Sequence, residues 1–508
     1  MRTLHEAIGA VETYSPAEEA FNRRRRTWGL FLGPVVFALA WVSPLPLDTA
    51  PHRLAAILAM VVVLWITEAL PMAVTAVLGP VLAIVCQVAP ARAALAPFAD
   101  PIIFLFIGSF ILAEAMFVHG LDRRIAFTAL ASPWVGTSGA RILVTYGLVG
   151  TTISMWMSNT ATTAMLFPIG VSIVAQLRRG VSGQDEALRR FATAMMLITS
   201  FGASVGGMAT PVGTPPNLIG IGLIERITGT HIGFFRWMAI GVPLVVILFA
   251  FLAVYFTRTS TRGIEVGEAS ARIVREELAR LGPVTRAQRN VMLAFAITVL
   301  LWTFPGVLAL LGQGDSPLAR SYMTSVPEGV AAMLGAMLLF VLPVHWNARR
   351  FTLTWEEAAR IDWGIVLLYG GGLAMGDLAF STGLARAIGE GMTAWLPGAG
   401  VVLLTAVFTG VAILLSETTS NTASANMVVP VAIAVATASK VDPMLPALGA
   451  TLGASMGFMM PISTAPNAIV YSSGHVPIGA MIRYGFWLDV AGFVAIVGVL
   501  ALIGPLLF

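Results

Sequence analysis

The sequence predicts an all-α polytopic membrane protein with about eleven transmembrane helices, two re-entrant hairpins and two inverted-topology repeats. Composition is the first reason: 57% of the 508 residues are hydrophobic, 11% are charged and the mean hydropathy is +0.85, whereas about 25% of residues are charged in a soluble domain. The second is the set of long apolar runs, which leaves room for about ten or more crossings of ~20 residues each. The third is a polar tripeptide in the middle of two such runs.

The N-terminal segment, residues 1–27, is polar and ends in four consecutive arginines. The apolar run that follows, 28–47, is long enough to span a bilayer. It is predicted to be the first transmembrane helix, an uncleaved anchor with the arginines in the cytoplasm. The other basic residues are dispersed among loops, which excludes a nucleic-acid partner. A single cysteine, Cys86, excludes a disulfide framework and a thiolate metal cluster.

The remaining apolar runs are of two kinds. Most are predicted to cross the membrane once, namely 54–69, 71–89, 101–119, 191–223, 235–257, 291–312, 327–344, 362–380, 444–474 and 480–507. Of these, 191–223 and 444–474 contain proline motifs and are expected to be broken helices. The runs 142–177 and 399–437 are too long for one crossing and too short for two, and each has Ser, Asn and Thr at its middle. They are therefore predicted to be re-entrant hairpins.

The distribution of charge sets the predicted orientation. If both hairpins return to the face where they start, 23 of the 30 basic residues fall in cytoplasmic segments. Cytoplasmic loops carry an excess of Lys and Arg. We therefore expect the N-terminus and a linker, 258–290, to be cytoplasmic, and the C-terminal Phe508 to lie outside the plasma (inner) membrane.

Two halves of the chain resemble each other. The tripeptide Ser158-Asn159-Thr160 recurs 262 residues later as Ser420-Asn421-Thr422, and the motif Thr214-x-Pro216-Asn217 recurs 250 residues later as Thr464-x-Pro466-Asn467. The first hairpin opens to the inside and the second to the outside, so the repeats, 48–257 and 291–508, are expected to be inverted. Inverted repeats with broken helices are typical of secondary transporters, whose site lies near mid-membrane where the repeats meet.

The polar motifs point to cation and anion binding. Hydroxyl and amide groups at the hairpin tips, with carbonyls freed by the prolines, offer only oxygen ligands, which suit a hard cation such as Na⁺. The segments 142–177, 191–224, 391–439 and 443–474 contain no Arg, Lys, His or Asp, and their one acidic residue is Glu417. An anionic substrate would therefore need co-bound cations to neutralise it. The role of Glu417 itself stays open.

Two other classes of protein fit the sequence less well than a carrier. An intramembrane enzyme would need a nucleophile with its base, or metal ligands, at membrane depth, and the hairpin tips offer no His or Asp pair. A channel would need a continuous polar pore, whereas the polar groups here are clustered. The sequence therefore favours a transporter that is not an enzyme.

The motifs together resemble the divalent anion/sodium symporter family over about residues 28–508. The segments that carry the resemblance are Met155-Trp-Met-Ser-Asn-Thr-Ala-Thr-Thr-Ala-Met165, Thr418-Thr-Ser-Asn-Thr-Ala-Ser-Ala-Asn426, the two Pro-Asn breaks and Thr67-Glu-Ala-Leu-Pro71. The resemblance implies a homodimeric carrier of di- or tricarboxylates or sulfate, in which a transport domain moves against a scaffold domain within the lipid as an elevator.

The resemblance also implies which residues bind. At least two Na⁺ sites are expected, one from Ser154, Ser158, Asn159 and Gly213 and the other from Ser416, Thr419, Asn421 and Ser463. The implied substrate ligands are Asn159, Thr160, Thr214, Ser420, Asn421, Thr422 and Thr464. Ala465 stands where the family often has proline, so the second break is expected to be less rigid.

The preferred interpretation is Na⁺-coupled symport of C4-dicarboxylates such as succinate, malate and fumarate. A sulfate or citrate symporter and a dicarboxylate exchanger without Na⁺ coupling are the alternatives.

Overall fold

The computed structural model describes residues 16–180, 185–261, 268–314, 316–395 and 397–508, and nearly all of them are helical. The described part of the first half contains α1 (Pro16–Val42), α2 (Thr49–Thr67), α3 (Met72–Val85), α4 (Ala91–Leu95), a 3₁₀ turn (Ala96–Ala99), α5 (Pro101–Val118), α6 (Leu121–Leu130), α7 (Gly139–Ser154), α8 (Asn159–Gly180), α9 (Asp185–Gly207), α10 (Pro215–Thr228) and α11 (Phe234–Ser260).

The rest of the chain continues the pattern. It contains α12 (Glu268–Arg280), α13 (Arg286–Leu310), α14 (Pro317–Ser325), α15 (Glu328–Val341), α16 (Trp355–Ala358), α17 (Trp363–Ser381), α18 (Leu384–Thr393), α19 (Val401–Thr418), α20 (Asn421–Ala438), α21 (Met444–Gly453), α22 (Ala465–Tyr471) and α23 (Ile478–Leu507). Two short strands, β1 (Pro343–His345) and β2 (Arg350–Phe351), pair antiparallel between α15 and α16. Helix α12 lies inside the predicted linker.

Eight helices among the described residues are long and apolar enough to cross a membrane, or nine if α14 and α15, bent by 62°, form one span. The predicted fold class, an all-helical polytopic membrane protein, is therefore confirmed. The count of about eleven crossings stays a prediction, because the helices in several apolar runs are shorter than a full crossing. Helix α3 has 14 residues, and α21 has 10.

Close backbone contacts recur between the halves. A Cβ at Gly108 of α5 would lie 2.6 Å from the Ala332 carbonyl carbon of α15, and a Cβ at Gly371 of α17 would lie 2.2 Å from the Ala76 carbonyl oxygen of α3. Gly108 and Gly371 occupy matching places in the two halves, as do Ala76 and Ala332. Each pair thus joins a helix of one half to a helix of the other, and the two contacts are equivalent under the predicted internal repeat.

An ion pair fixes the start of α1 against the end of α2. Glu68 follows α2 with a left-handed backbone (φ 49°), and its carboxylate accepts from Arg25 at 2.8 Å and from Arg26 at 3.3 Å. A Cβ at Gly29 would lie 2.0 Å from the Thr67 hydroxyl. Glycine therefore lets α1 and α2 approach closely enough for the arginines to reach Glu68.

Charged residues also gather in and beside the loop between α10 and α11. His231 lies in this loop, with Nδ1 3.0 Å from Glu225 Oε1 and Nε2 3.4 Å from Glu328 Oε1. Two hydrogen bonds, the stronger one to Glu225 and the weaker one to Glu328, raise the pKa of His231 to about 10. Arg226, on α10, pairs with Asp377 of α17 and with Asp100, which caps α5. These pairs attach the end of α10 to α5, α15 and α17.

Candidate functional site

The first hairpin tip is a helix break closed by side chains. Helix α7 ends at Ser154 and α8 begins at Asn159, with four non-helical residues between them. Ser154 Oγ donates to Asn159 Oδ1 at 2.8 Å. Ser158 Oγ accepts from the Ala161 N–H at 3.2 Å, as an N-cap does. The tip thus places the N-terminus of α8 beside the hydrogen-bonded pair of Ser154 and Asn159.

The second tip repeats this arrangement. Helix α19 ends at Thr418 and α20 begins at Asn421. Ser416 Oγ lies 2.7 Å from Asn421 Oδ1, and Ser420 Oγ accepts from the Ala423 N–H at 3.2 Å. Each of these bonds reproduces one in the first tip at the sequence offset of 262. The recurring tripeptide therefore has one local structure in both halves.

The two proline-containing breaks also share a structure. Between α9 and α10, Asn217 Nδ2 donates to the carbonyls of Gly207 at 2.9 Å and Thr210 at 2.8 Å. Between α21 and α22, Asn467 Nδ2 donates to the carbonyls of Gly457 and Met460, both at 3.0 Å. The residues four positions beyond Gly207 and Gly457 are Pro211 and Pro461, which have no N–H to donate, so the buried asparagine amides serve those two carbonyls.

In the first half, tip and break meet at Gly207. A Cβ on Gly207 would lie 2.3 Å from Asn159 Oδ1 and 3.1 Å from the Gly213 carbonyl oxygen. Asn159 Nδ2 is 3.5 Å from Thr214 Oγ1. The structure therefore brings Ser154, Asn159 and Gly213 of the predicted Na⁺ set together with Thr214 of the predicted substrate set.

In the second half, tip and break meet at Gly457. A Cβ on Gly457 would lie 3.1 Å from both Asn421 Oδ1 and Ser416 Oγ. Ser463 Oγ is 3.1 Å from the Gly457 carbonyl and donates to the Met460 carbonyl at 2.7 Å. Ser416, Asn421 and Ser463 thus surround one glycine.

Other predicted ligands have local roles. Thr419 is buried at the C-cap of α19, and its hydroxyl donates to the Leu415 carbonyl of that helix at 2.7 Å. Thr464 Oγ1 accepts from the Asn467 N–H at 3.3 Å and caps α22. Thr160 and Thr422 are half-buried in the first turns of α8 and α20. The capping residues Ser158 and Ser420 are half-buried as well.

Sequence reasoning missed four residues that shape the site. Asn217 and Asn467 stand in the recurring motif, but the sequence prediction assigns the helix breaks to its prolines and the ligand roles to its threonines. Gly207 and Gly457 also recur at an offset of 250, and this spacing was a usable signal. Their role follows from close approach to an amide oxygen, which the sequence does not display.

One of the hydrogen bonds between the halves reaches the second break. Ser200 Oγ, on α9, donates to Asn467 Oδ1 at the second break. The matching position in the second half, 250 residues later, is Ala450. Asn217 Oδ1, the counterpart of Asn467 Oδ1, is buried and has no hydrogen-bond partner among the described residues. The breaks are therefore alike in backbone but differ in side-chain support.

Comparisons with known proteins place the chain in a family. Residues 24–508 match the family described as the sodium:sulfate symporter transmembrane region. The chain belongs to this family. The sodium-dependent dicarboxylate transporter SdcS of Staphylococcus saprophyticus is 32% identical over 483 residues, which cover 94% of this chain and 91% of that protein. The Staphylococcus aureus protein of the same name is 30% identical, with the same coverage.

Solved structures share the fold at low identity. The YdaH transporter of Alcanivorax borkumensis superposes with a TM-score of 0.54 and 13% identity, covering 96% of this chain and 98% of that one. MtrF of Neisseria gonorrhoeae gives a TM-score of 0.51 and 12% identity, covering 98% and 96%. The predicted family resemblance is confirmed: the protein is a multi-pass membrane transporter and not an enzyme.

Proposed function

We propose that this transporter carries C4-dicarboxylates such as succinate, malate and fumarate together with Na⁺ across the plasma (inner) membrane. The observation that carries the proposal is the pair of matched hydroxyl–amide couples, Ser154–Asn159 and Ser416–Asn421, each facing a glycine of a helix break. The staphylococcal relatives described as sodium-dependent dicarboxylate transporters support both the ion and the substrate.

Each couple supplies oxygen atoms suited to one Na⁺. In the second tip, Ser416 Oγ lies 2.7 Å from both Asn421 Oδ1 and the Ala454 carbonyl. Its single hydroxyl hydrogen cannot fully satisfy two acceptors, so an acceptor is left for a cation. We assign one Na⁺ to Ser154, Ser158, Asn159 and Gly213, and a second to Ser416, Thr419, Asn421 and Ser463.

The substrate would lie between the two tips. Its carboxylates would meet the N-termini of α8 and α20, where unpaired amide donors and the helix dipole favour negative charge. The proposed substrate ligands are Asn159, Thr160, Thr214, Ser420, Asn421, Thr422 and Thr464. Residues 142–177, 191–224, 391–439 and 443–474, which contain the tips and breaks, include no Arg, Lys or His. The two sodium ions therefore supply the countercharge, which makes substrate binding depend on Na⁺.

Transport is proposed to follow an elevator mechanism in a homodimer. The moving unit contains both hairpins and both broken helices, α7–α10 and α19–α22. The scaffold includes the predicted spans 28–47, 71–89, 291–312 and 327–344, which lack polar breaks. The N-terminus is placed in the cytoplasm and the C-terminus outside, and this orientation follows from the bias in basic residues.

Uptake of radiolabelled succinate into proteoliposomes tests the proposal. An inward Na⁺ gradient should drive accumulation, and choline in place of Na⁺ should sharply weaken the apparent affinity for succinate. Asn421→Ala, which removes an oxygen proposed to bind both cation and substrate, should abolish uptake while the protein still inserts. Succinate affinity that is equal in choline and Na⁺ would refute symport.

Sulfate is the second candidate, because the family description names it. Competition by sulfate and by citrate against labelled succinate distinguishes these substrates in the same vesicles. Uptake that requires internal dicarboxylate but no Na⁺ would identify an exchanger instead.

A further inference from the structure

A group of charged side chains ties the proposed moving unit to its surroundings, and the proposed ion and substrate sites use none of them. Arg226, on α10 of the moving unit, donates to Asp377 of α17, and its Nη1 lies 3.3 Å from Asp100 Oδ2 at the start of α5. The side chains of Arg226, Asp377 and Asp100 are 33%, 26% and 14% exposed. Water and salt therefore screen these ion pairs only in part.

Both acidic partners lie on helices that pack against the scaffold. The close backbone contacts at Gly108 and Gly371 join α5 to α15 and α17 to α3. Helices α15 and α3 lie in the spans 327–344 and 71–89, which are assigned to the scaffold. The ion pairs of Arg226 therefore run from the moving side to the fixed side.

Helix α10 also meets α17 at close range. A Cβ on Gly222 of α10 would lie 2.1 Å from the Tyr369 hydroxyl of α17, and a Cβ on Gly376 of α17 would lie 2.7 Å from Leu223 Cδ2 of α10. Arg226 follows Gly222 by about one helical turn. Its ion pairs thus lie at the edge of a tight contact that must separate when the moving unit changes position.

A second set of contacts holds the loop after α10. Oε1 of Glu328, which begins α15, lies 3.4 Å from His231 Nε2 and accepts from the Phe234 N–H at 3.4 Å. His231 Nδ1 is 3.0 Å from Oε1 of Glu225, the residue directly before Arg226. Both sets of contacts therefore hold the same end of α10, which is the outer end in the proposed orientation.

The arginine of this group has no counterpart in the other half of the chain. The positions that match Asp100 and Asp377 carry Asp362 and Glu114, and Asp362 caps α17 as Asp100 caps α5. The segment that matches α10, residues 465–478, contains no Arg or Lys. The acidic acceptors are thus present in both halves, but the arginine is present in one.

We propose that these ion pairs form a latch that holds the moving unit in the position seen in the structure. The latch comprises Arg226, His231, Asp100, Asp377 and Glu328. In a carrier built from inverted repeats, the second position arises when the two halves exchange conformations. The end of α22 would then approach the inner acidic residues without an arginine, so no equivalent pair would form. Contacts that exist in one position alone shift the equilibrium toward that position.

The inference rests on the proposed moving unit, and the test measures the position of that unit directly. Spin labels are placed at Val402→Cys on α19 and Leu310→Cys on α13, in a Cys86→Ala background. Both side chains are exposed, and their helices are assigned to the moving unit and the scaffold. Double electron–electron resonance then gives the population of each distance, and singly labelled proteins identify the distances between protomers.

Removing the arginine should release the unit. In the absence of Na⁺ and succinate, Arg226→Ala should lower the ratio of the latched to the second position about tenfold, with each of its two ion pairs taken near the upper end of the range for exposed pairs. Arg386→Ala is the matched control, because Arg386 pairs with Glu390 at 2.8 Å within α18. That variant loses an ion pair that joins no two units, so it should leave the ratio unchanged.

A charge exchange separates a latch from a packing defect. Arg226→Asp combined with Asp377→Arg again gives one basic group and two acidic groups, since Asp100 is kept. The double variant should recover most of the wild-type ratio. A ratio as low as that of Arg226→Ala would show that charge pairing does not hold the unit.

The labelled protein with its native latch keeps the test valid if the Arg226 variants do not fold. Choline chloride screens half-exposed ion pairs, so raising its concentration should shift the populations in the same direction as Arg226→Ala. Two positions whose populations respond to neither change would overturn the latch and leave the proposed function standing. A single distance in every condition, with Na⁺ and succinate included, would overturn the moving unit and the latch together.

Discussion

Gly207 offers the sharpest test of the candidate site, because a single methyl group should displace one proposed ligand. In Gly207→Ala the new Cβ would lie 2.3 Å from Asn159 Oδ1, and contacts under 3.0 Å essentially never occur for real Cβ atoms. The Gly207 carbonyl is held by Asn217 at 2.9 Å, which resists a shift of the backbone. The Asn159 amide must therefore rotate away and lose its 2.8 Å bond from Ser154.

The size of the effect follows from what the amide oxygen binds. A hydrogen bond that involves a charged group contributes about 1.5–3 kcal/mol, and we take this as the scale for losing one ligand of Na⁺. At about 1.4 kcal/mol per tenfold change, the affinity for Na⁺ should fall about 10- to 100-fold. Gly457→Ala places its Cβ 3.1 Å from Asn421 Oδ1, which a small shift relieves, so its effect should be under about tenfold.

The assay is the Na⁺ concentration that gives half-maximal succinate uptake by reconstituted protein. Gly498→Ala is the control, because a Cβ there meets no atom within 4 Å. The expected order of impairment is Gly207→Ala, then Gly457→Ala, with Gly498→Ala equal to wild type. A Gly207→Ala protein with unchanged Na⁺ dependence would show that Asn159 Oδ1 is not a ligand, and equal impairment of all three variants would indicate a general packing defect.

Three further outcomes are expected. Ala450→Ser should give the buried Asn217 Oδ1 a hydroxyl partner and raise the free energy of unfolding by about 1 kcal/mol, seen as a higher melting temperature in detergent; no change would mean that the pseudosymmetry does not extend to this contact. The pKa of His231 is raised to about 10, so its stabilising contribution is full below about 6.5 and is lost as pH rises through 10; His231→Gln should flatten the fall in melting temperature over this range, and an unchanged fall would contradict the ion pairs. Thr418→Cys in a Cys86→Ala background should change its labelling by an impermeant maleimide from one side when Na⁺ and succinate are added, whereas constant labelling in every condition would contradict a moving site.

Much of this architecture could be predicted from the sequence because polar residues inside apolar runs are conspicuous. The runs 142–177 and 399–437 became two helix pairs, 139–180 and 401–438, with breaks at the predicted tripeptides. Proline motifs located the other two breaks. The number of crossings did not follow as directly, because a break divides an apolar run into helices whose lengths depend on where tertiary packing ends them.

What the sequence could not display are contacts that depend on approach between distant segments. Gly207 and Gly457 are two among 50 glycines, and only the folded chain shows that they face amide oxygens. Gly485 of α23 is another case, because a Cβ there would lie 2.5 Å from the Phe458 carbonyl oxygen of the second break.

The bond from Ser200 to Asn467 has a consequence for how such a chain could have arisen. If the two halves descend from one duplicated gene, a half-length ancestor carrying Ser200 could make this bond only to a second copy, because the hydroxyl reaches an asparagine of the opposite half. With a second copy inserted upside down, the bond would have formed twice. After the two copies were fused, each half could mutate independently and one serine could be lost. Ala450 stands at the position that matches Ser200.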